Sequence, residues 1–165
     1  MCIRDRASVK ATILEKLEAT TADLSRYVGS HPMAGREQAG ALAGRSDIFI
    51  GRPWVVSPNR LSAKSSIDLV EALALDLGAS LVHLNPNDHD RAVALVSHAP
   101  QLVASLLAAR LSNSQASDIA LAGQGLRDTT RIAASDPKLW IQILAANSAQ
   151  VAKVIESLKG DLDLV

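Results

Sequence analysis

The first half of the chain alternates between a helical hydrophobic pattern and short apolar runs that turn residues interrupt. Over residues 7–24 the apolar positions recur every three or four residues, which predicts a helix with Ser8 at its N-cap. Three short runs bounded by glycine or proline predict strands, and one periodic stretch predicts a helix: strands at 26–30, 52–58 and 80–84, and a helix at 65–77. A strand, a helix and a strand in that order predict an α/β unit with parallel pairing.

The pattern changes at Pro86. From there to the end, almost every apolar position fits a helical period and no strand pattern appears. The longest predicted helix runs over 89–111, and Pro100 should kink it because proline donates no backbone hydrogen bond. Further helices are predicted at 117–121, 128–134 and 137–158. We therefore predict the C-terminal part of an α/β domain over residues 1–86 and an all-α domain over residues 87–165.

Composition narrows the classes of function. The 17 basic and 17 acidic residues cancel, so no basic surface for nucleic acid is expected. Cys2 is the single cysteine, which excludes a disulfide framework and a cysteine-based zinc site and favours a reducing cytoplasm. The uncharged stretch 92–109 is about as long as the roughly 18 residues of a membrane span. It contains polar residues such as His98 and Gln101, so we interpret it as a buried helix. No signal-peptide pattern is seen at the N-terminus.

His31 is the first candidate for chemistry. It stands in a loop predicted at the carboxyl end of the strand 26–30, and open α/β sheets bind their ligands at such ends. An ordinary histidine pKa of about 6.5 suits a general base. The spacing leaves open the alternative of an exposed loop histidine without a function.

The stretch that begins at Gly123 resembles the start of a dinucleotide fingerprint. Asp128 stands where the third glycine is needed and no strand precedes the stretch, so a nucleotide-binding loop is not predicted here. Arg127 and Arg131 are four residues apart at a helix start and share a face. One of them could form a fork with a carboxylate, and a surface ion pair with Asp128 or Asp136 is the alternative.

Two further kinds of site are disfavoured. Residues 88–90, with His83 and His98, are of metal-ligand types, but acidic residues at 88–90 are expected in a helix cap, so no metal site is predicted. No serine near His31 stands in a Gly-x-Ser-x-Gly elbow, so a serine hydrolase is not predicted.

Five motifs occur in the order in which one known family has them. They are Ser8-Val9-Lys10, the segment 27–35 around Gly29-Ser30-His31-Pro32, Gly51-Arg52-Pro53-Trp54, the segment 89–101 from His89-Asp90-Arg91 to Ser97-His98-Ala99-Pro100-Gln101, and the segment 125–137 from Gly125-Leu126-Arg127 to Ser135-Asp136-Pro137. In these motifs the chain resembles the prephenate dehydrogenase family, whose members act on prephenate or arogenate in tyrosine biosynthesis. The resemblance covers nearly the whole chain from Ala7.

The resemblance implies a Rossmann-type dinucleotide-binding domain, a helical dimerisation domain, a homodimer without a metal, and NAD or NADP as the cofactor. The implied reaction is an oxidative decarboxylation, in which hydride leaves the ring carbon that bears the hydroxyl and the ring carboxylate departs as CO2. The resemblance implies that His31 takes the hydroxyl proton and that Ser8 is a second catalytic residue beside the nicotinamide. The other implied contacts are Pro32 with the cofactor, Arg131 with a substrate carboxylate, and Ser30, His98 and Gln101 with the substrate.

The sequence departs from the family in two places. The family's glycine-rich motif lies well upstream of the segment that begins at Ser8, where this chain has only seven residues. Residues 1–6 also lack the apolar strand end expected there. We therefore expect residues 1–6 not to be native and the chain to be an N-terminally truncated fragment, inactive alone. Gln101 stands where many members have histidine, which leaves prephenate and arogenate both open as the substrate.

Two other functions stay open. The chain could be a non-catalytic helical module that dimerises through the apolar helix around residues 93–107. It could also be part of a dehydrogenase for 3-hydroxy acids. Resemblance to such enzymes would imply a catalytic lysine in the helical domain. Lys138, Lys153 and Lys159 stand in no comparable motif, so this second alternative is disfavoured.

Overall fold

The computed structural model describes residues 3–5, 7–20, 23–35 and 44–165. The chain divides into two compact units, residues 1–92 and residues 93–165. We call them the α/β unit and the helical unit. The division at Pro86 that the sequence suggests stays a prediction.

Four strands in the described part of the α/β unit form one sheet. In chain order, which is also their order in the sheet, they are β1 (Ile3–Asp5), β2 (Tyr27–Pro32), β3 (Pro53–Pro58) and β4 (Ser80–His83). β1 pairs in parallel with β2, β2 antiparallel with β3, and β3 in parallel with β4. Helix α2 (Lys64–Asp76) connects β3 to β4. The predicted strand, helix and strand with parallel pairing are therefore confirmed.

The apolar core of the α/β unit consists mainly of aliphatic side chains from the sheet and α2. Val28 of β2 and Trp54 and Val56 of β3 cluster with Val70 and Ala74 of α2, and all five are buried. Because alternate residues of a strand point to opposite faces, the neighbours of Val28 on β2 lie on the other face. The residues of that other face are Tyr27, Gly29 and His31.

Helix α1 (Ala11–Glu18) is shorter than the helix predicted over 7–24. Ser8 is not its N-cap, because Lys10 occupies that position and the helix has no cap from a neighbouring side chain. The carboxylate of Asp90 accepts the hydrogen bonds of the first amides instead. The prediction of Ser8 was wrong because a cap supplied from 80 residues away leaves no local pattern.

From Pro86 onward, all the regular elements are helical, as the periodicity predicted. The α-helices are α3 (Pro86–Val93), α4 (Ala99–Leu111), α5 (Ala116–Ala120), α6 (Gln124–Thr130), α7 (Pro137–Ala146) and α8 (Ser148–Leu162). A π-helical segment (Ala94–His98) joins α3 to α4, and a 3₁₀ turn (Arg131–Ala134) follows α6. In the helical unit, α4 packs against α6, the 3₁₀ turn and α8.

Two long predicted helices differ from the structure in detail. The π-helical segment Ala94–His98 precedes Pro100, and wider turns of this kind accommodate a missing i to i−4 hydrogen bond. The predicted helix 137–158 is two helices, because the chain breaks at Asn147, a buried residue whose side chain contacts another helix.

The continuous helical run Pro86–Leu111 has 26 residues and is long and apolar enough to cross a membrane by length and composition alone. The core helix of a protein without a membrane shares these two properties. In the described part of the chain, only 33% of the most apolar 18-residue window of this helical run is buried. The predicted burial therefore holds for one face of the helix. Leu95, Val96 and Leu106 lie on its exposed surface.

Candidate active site

His31 is the next-to-last residue of β2 and is half-buried. Its backbone pairs with Val55 of β3, so His31 lies in the strand and the prediction of a loop was wrong. A residue before a proline is held in extended backbone, which suits a strand as well as a loop. The backbone pairing of His31 with β3 makes this residue part of a strand and not of a loop.

His31 is the outer member of a hydrogen-bonded chain of three side chains. Its Nδ1 lies 2.8 Å from Nε2 of His89, and Nδ1 of His89 lies 2.7 Å from Oδ1 of Asp90. The two imidazole ring centres are 5.1 Å apart, with the rings tilted by 59°. His89 is 0% exposed and Asp90 is 4% exposed, whereas His31 reaches the surface of the unit. We call these three residues the His31–His89–Asp90 chain.

The N-terminus of α1 holds the Asp90 carboxylate. Oδ1 accepts a hydrogen bond from the backbone N–H of Lys10 at 2.8 Å, and Oδ2 accepts one from Ala11 at 2.9 Å. Burial by itself would raise the pKa of Asp90. The hydrogen bonds from His89 and from the two amides outweigh burial and lower that pKa below its ordinary value. Asp90 is therefore ionised at neutral pH, where the partial positive charge of a helix N-terminus also favours it.

The Lys10 side chain is buried on the same face of the sheet as His31. It is 1% exposed, and its Nζ forms an ion pair with Asp5, which also accepts a hydrogen bond of 3.2 Å from the Tyr27 hydroxyl. Burial lowers the pKa of Lys10, although the hydrogen bond and the charge of Asp5 act in the opposite direction. Burial and the Asp5 charge raise the pKa of Tyr27.

Gly29 gives the Lys10 side chain its space. A Cβ at position 29 would lie 2.9 Å from the backbone oxygen of Ser57 and 3.2 Å from Cδ of Lys10. Both distances are shorter than ordinary van der Waals contact, so no side chain fits between β3 and Lys10. The glycine of the Gly-Ser-His-Pro motif is thus required by packing.

The other predicted site residues of the α/β unit, Ser8, Ser30 and Pro32, differ in how deeply they are buried. Ser30 is fully buried, and its hydroxyl donates a hydrogen bond of 3.0 Å to the backbone oxygen of Asp5. Ser8 is half-buried in the connection between β1 and α1, two residues before Lys10, and Pro32 is the half-buried last residue of β2. The roles predicted for Ser8, Ser30 and Pro32 stay predictions.

A cleft of about 580 Å³ begins directly after β2 in the sequence. Its lining includes Met33 and Ala34 and the two arginines Arg45 and Arg52. Arg45 already pairs with Asp47 at 2.7 Å. Met33, Ala34, Gly35 and Arg52 belong to the motifs around His31 and Trp54, but none of the residues predicted to contact the substrate or the cofactor is among the described lining residues. The cleft therefore adds neighbours to the end of β2 without changing the candidate site.

In the helical unit, two residues that are predicted to contact the substrate, His98 and Gln101, are buried. Nδ2 of Asn147 lies 3.1 Å from Nδ1 of His98, and the Trp140 ring meets the His98 ring edge-on at 6.0 Å between centres. Gln101 donates from Nε2 to the backbone oxygen of Ile132 at 3.0 Å. Gln101 and Trp140 also line a cleft of about 350 Å³. Arg131 is exposed at the start of the 3₁₀ turn. The substrate contacts of His98, Gln101 and Arg131 stay predictions.

Sequence reasoning missed the roles of His89 and Asp90, which it assigned to a helix cap. Asp88 lies in the first turn of α3 and pairs with Arg91 at the surface, but the next two residues are buried. The signal was present, because Asp90 shares a helix face with the buried Val93 and Ala94 at spacings of three and four. Among the described residues, no three or more His, Cys, Asp or Glu side chains form a group that could hold a metal ion.

The fold and this site define a class of protein: an α/β unit with an acid and histidine centre at the end of a strand, followed by a helical unit. Comparison with known proteins gives the family. The sequence model of the prephenate dehydrogenase nucleotide-binding domain matches residues 1–83, and that of the prephenate dehydrogenase dimerization domain matches residues 85–164. The chain belongs to the prephenate dehydrogenase family. The resemblance and the fold class predicted from the sequence are thereby confirmed.

Individual relatives agree with this assignment. A Streptomyces niveus protein described as a probable prephenate dehydrogenase, NovF, is 36% identical over 159 residues, which are 96% of this chain and 44% of that protein. The structure of prephenate dehydrogenase from A. aeolicus with hydroxyphenyl propionate and NAD+ superposes with a TM-score of 0.88 at 32% identity, covering 98% of this chain and 57% of that one. Arogenate dehydrogenase from Synechocystis gives a TM-score of 0.79 at 27% identity, covering 99% and 59%. The chain spans 44% to 56% of the length of the curated relatives it matches.

Proposed function

We propose that this chain is the acid–base part of an NAD(P)-dependent prephenate or arogenate dehydrogenase. The observation that carries the proposal is His31 at the end of β2, hydrogen-bonded through His89 to a buried carboxylate. Oxidative decarboxylation needs a base for the hydroxyl proton as the ring carbon is oxidised, and a histidine held in this way suits that task. The ring carboxylate then leaves as CO2, and its bonding electrons complete the aromatic ring.

The hydride chemistry would come from NAD or NADP, which accepts a hydride when bound. The complex of the A. aeolicus relative with NAD+ supports a nicotinamide dinucleotide. The pyrophosphate of such a cofactor needs a glycine-rich turn before a helix N-terminus. Among the described residues, the stretches 7–10 and 59–63, which lead from a strand to a helix, contain no glycine. The described residues thus do not fit the pyrophosphate, and we assign only Ser8 and Pro32 to the nicotinamide end.

On the substrate side, we propose Arg131 for a carboxylate, because an exposed guanidinium can form a paired hydrogen bond with it. Ser30, His98 and Gln101 are proposed as further substrate contacts. Their internal hydrogen bonds would hold each side chain in one orientation. Both prephenate and arogenate are proposed as substrates, because relatives of both kinds match this chain.

The assembly is proposed to be a homodimer in the cytoplasm. The match to a dimerization domain supports the dimer, as do the exposed apolar side chains of Leu95, Val96 and Leu106. The same observations favour the second candidate function, a dimerising helical module without catalysis. Turnover separates the two candidates.

The experiment is a turnover assay on the full-length gene product that contains this chain. The formation of reduced nicotinamide is followed spectroscopically with prephenate and with arogenate, each with NAD and with NADP. We expect turnover with at least one pair. A folded, dimeric product that turns over neither substrate would favour the non-catalytic module.

A further inference from the structure

We propose that Asp90, acting through His89, holds His31 in the tautomer whose Nε2 carries no proton, so that His89 and Asp90 are positioning residues for the base. This inference rests on the proposed function only for the role of His31 in catalysis. The tautomer itself follows from the hydrogen bonds of the His31–His89–Asp90 chain.

The direction of the hydrogen bonds in the His31–His89–Asp90 chain is set at Asp90, its buried end. An ionised carboxylate can only accept hydrogen bonds, and Asp90 already accepts two from backbone amides. The contact of 2.7 Å between Oδ1 of Asp90 and Nδ1 of His89 therefore requires a proton on Nδ1 of His89. In the neutral imidazole, the other nitrogen of His89, Nε2, then carries the lone pair.

The same reasoning applies to the next contact. Nε2 of His89 is an acceptor and lies 2.8 Å from Nδ1 of His31, so that nitrogen must be the donor. Nε2 of His31 is then left with its lone pair. This is the state that a base needs before it takes a proton. Once His31 is protonated, its Nδ1–H still donates to His89, so no side chain has to rotate during the reaction.

Burial makes this arrangement the stable one. His89 is 0% exposed, so water cannot replace either of its partners, and a reversed hydrogen bond would place two donors against each other. Asp90 is held by the amides of Lys10 and Ala11, which follow Ser8 closely in the chain. The carboxylate thereby joins the segment that carries Ser8 to the histidine of β2, and positions two proposed site residues together.

The test compares two substitutions of His89. In His89→Phe the ring volume is retained, but position 89 no longer offers an acceptor to Nδ1 of His31. In His89→Gln the amide oxygen can still accept from Nδ1 of His31, so this variant is the conservative rescue. A purely structural role for His89 would make both variants less stable and would leave the tautomer of His31 unchanged.

The first readout is the protonation state of the His31 ring nitrogens, measured by long-range proton–nitrogen NMR on the 15N-labelled chain of 165 residues, with the signal assigned by its loss in His31→Asn. We expect a proton on Nδ1 and none on Nε2 in the wild type and in His89→Gln, and the reverse in His89→Phe. A wild-type His31 protonated at Nε2 would overturn the proposal, as would an unchanged tautomer in folded His89→Phe. If His89→Phe does not fold, the tautomer of His31 in the wild type and in His89→Gln tests the proposal: a proton on Nδ1 in both supports it, and a proton on Nε2 in the wild type overturns it.

The second readout is kinetic, in the full-length enzyme. We expect His89→Phe to lower kcat by about 10²-fold or more, the lower end of what a general base contributes, with KM changed little. His89→Gln should retain most of the activity. Equal losses in the two variants would contradict a positioning role. If the NMR result is as expected but His31→Asn keeps full activity, the tautomer stands and the proposed function fails.

Discussion

Asp90 is the residue whose removal tests the structural argument most severely, and the perturbation is Asp90→Ala. Its carboxylate accepts hydrogen bonds from His89 Nδ1 and from the amides of Lys10 and Ala11. Truncation leaves His89 Nδ1 and the Lys10 amide buried without an acceptor. The amide of half-buried Ala11 can still be reached by water. The α/β unit should therefore be destabilised, and α1 should lose its cap.

The magnitude follows from the two buried donors. Each buried donor without a partner costs about 1–3 kcal/mol, so the two together give a loss of about 4 kcal/mol in the free energy of unfolding. With a denaturant slope of about 2 kcal/mol/M, this loss moves the urea midpoint down by about 2 M. A domain stability of about 5–15 kcal/mol leaves room for the variant to fold.

The assay uses the position of the two tryptophans, one in each unit. Trp54 is in the core of the α/β unit and Trp140 belongs to α7, so a Trp140→Phe background makes fluorescence report on the α/β unit alone. Asp88→Ala is the matched control, because Asp88 lies on the same helix but pairs with Arg91 at the surface. The control should shift the midpoint far less. Equal shifts for the two variants would refute the reasoning.

Two further predictions concern the same unit. Because the pKa of Asp90 is lowered in the folded chain, its contribution to stability is present above the ordinary aspartate pKa of about 3.9 and is lost as the pH falls through the folded value. Urea midpoints should therefore fall in acid, and more steeply in the wild type than in Asp90→Asn; equal slopes would contradict this. Gly29→Ala should cost about 1–3 kcal/mol in urea unfolding, because its Cβ would meet the backbone oxygen of Ser57. Gly35→Ala, whose Cβ would meet no atom of the described residues within 4 Å, is the control and should change little.

The elements that local pattern determines were predictable from the sequence. The unit from β3 through α2 to β4 has strands bounded by turn residues and a helix of regular period between them, and it was found as expected. The helical second half was equally clear, because apolar residues there recur at one period over some 80 positions. The motif around His31 located the end of β2, although the pairing with Val55 that makes it a strand is not local.

What the sequence could not show depends on contacts between distant segments. The cap of α1 comes from Asp90, and the break between α7 and α8 falls at Asn147, whose side chain reaches His98. Neither contact has a sequence signal of its own. His89 and Asp90 are polar residues at a helix start, where a solvent-exposed cap is the ordinary expectation. Only the position of Asp90 relative to the buried apolar residues that follow it indicated a buried face.

The central claim is that His31 is the base of a dehydrogenase, and the most direct measurement is kcat of His31→Asn in the full-length enzyme. His83→Asn is the matched control, because His83 is an exposed histidine of the same sheet that pairs with Glu71. We predict that His31→Asn lowers kcat by about 10²–10⁴-fold with little change in KM, the range expected for a lost general base, while His83→Asn keeps wild-type turnover. Wild-type kcat in a folded His31→Asn enzyme would contradict the claim.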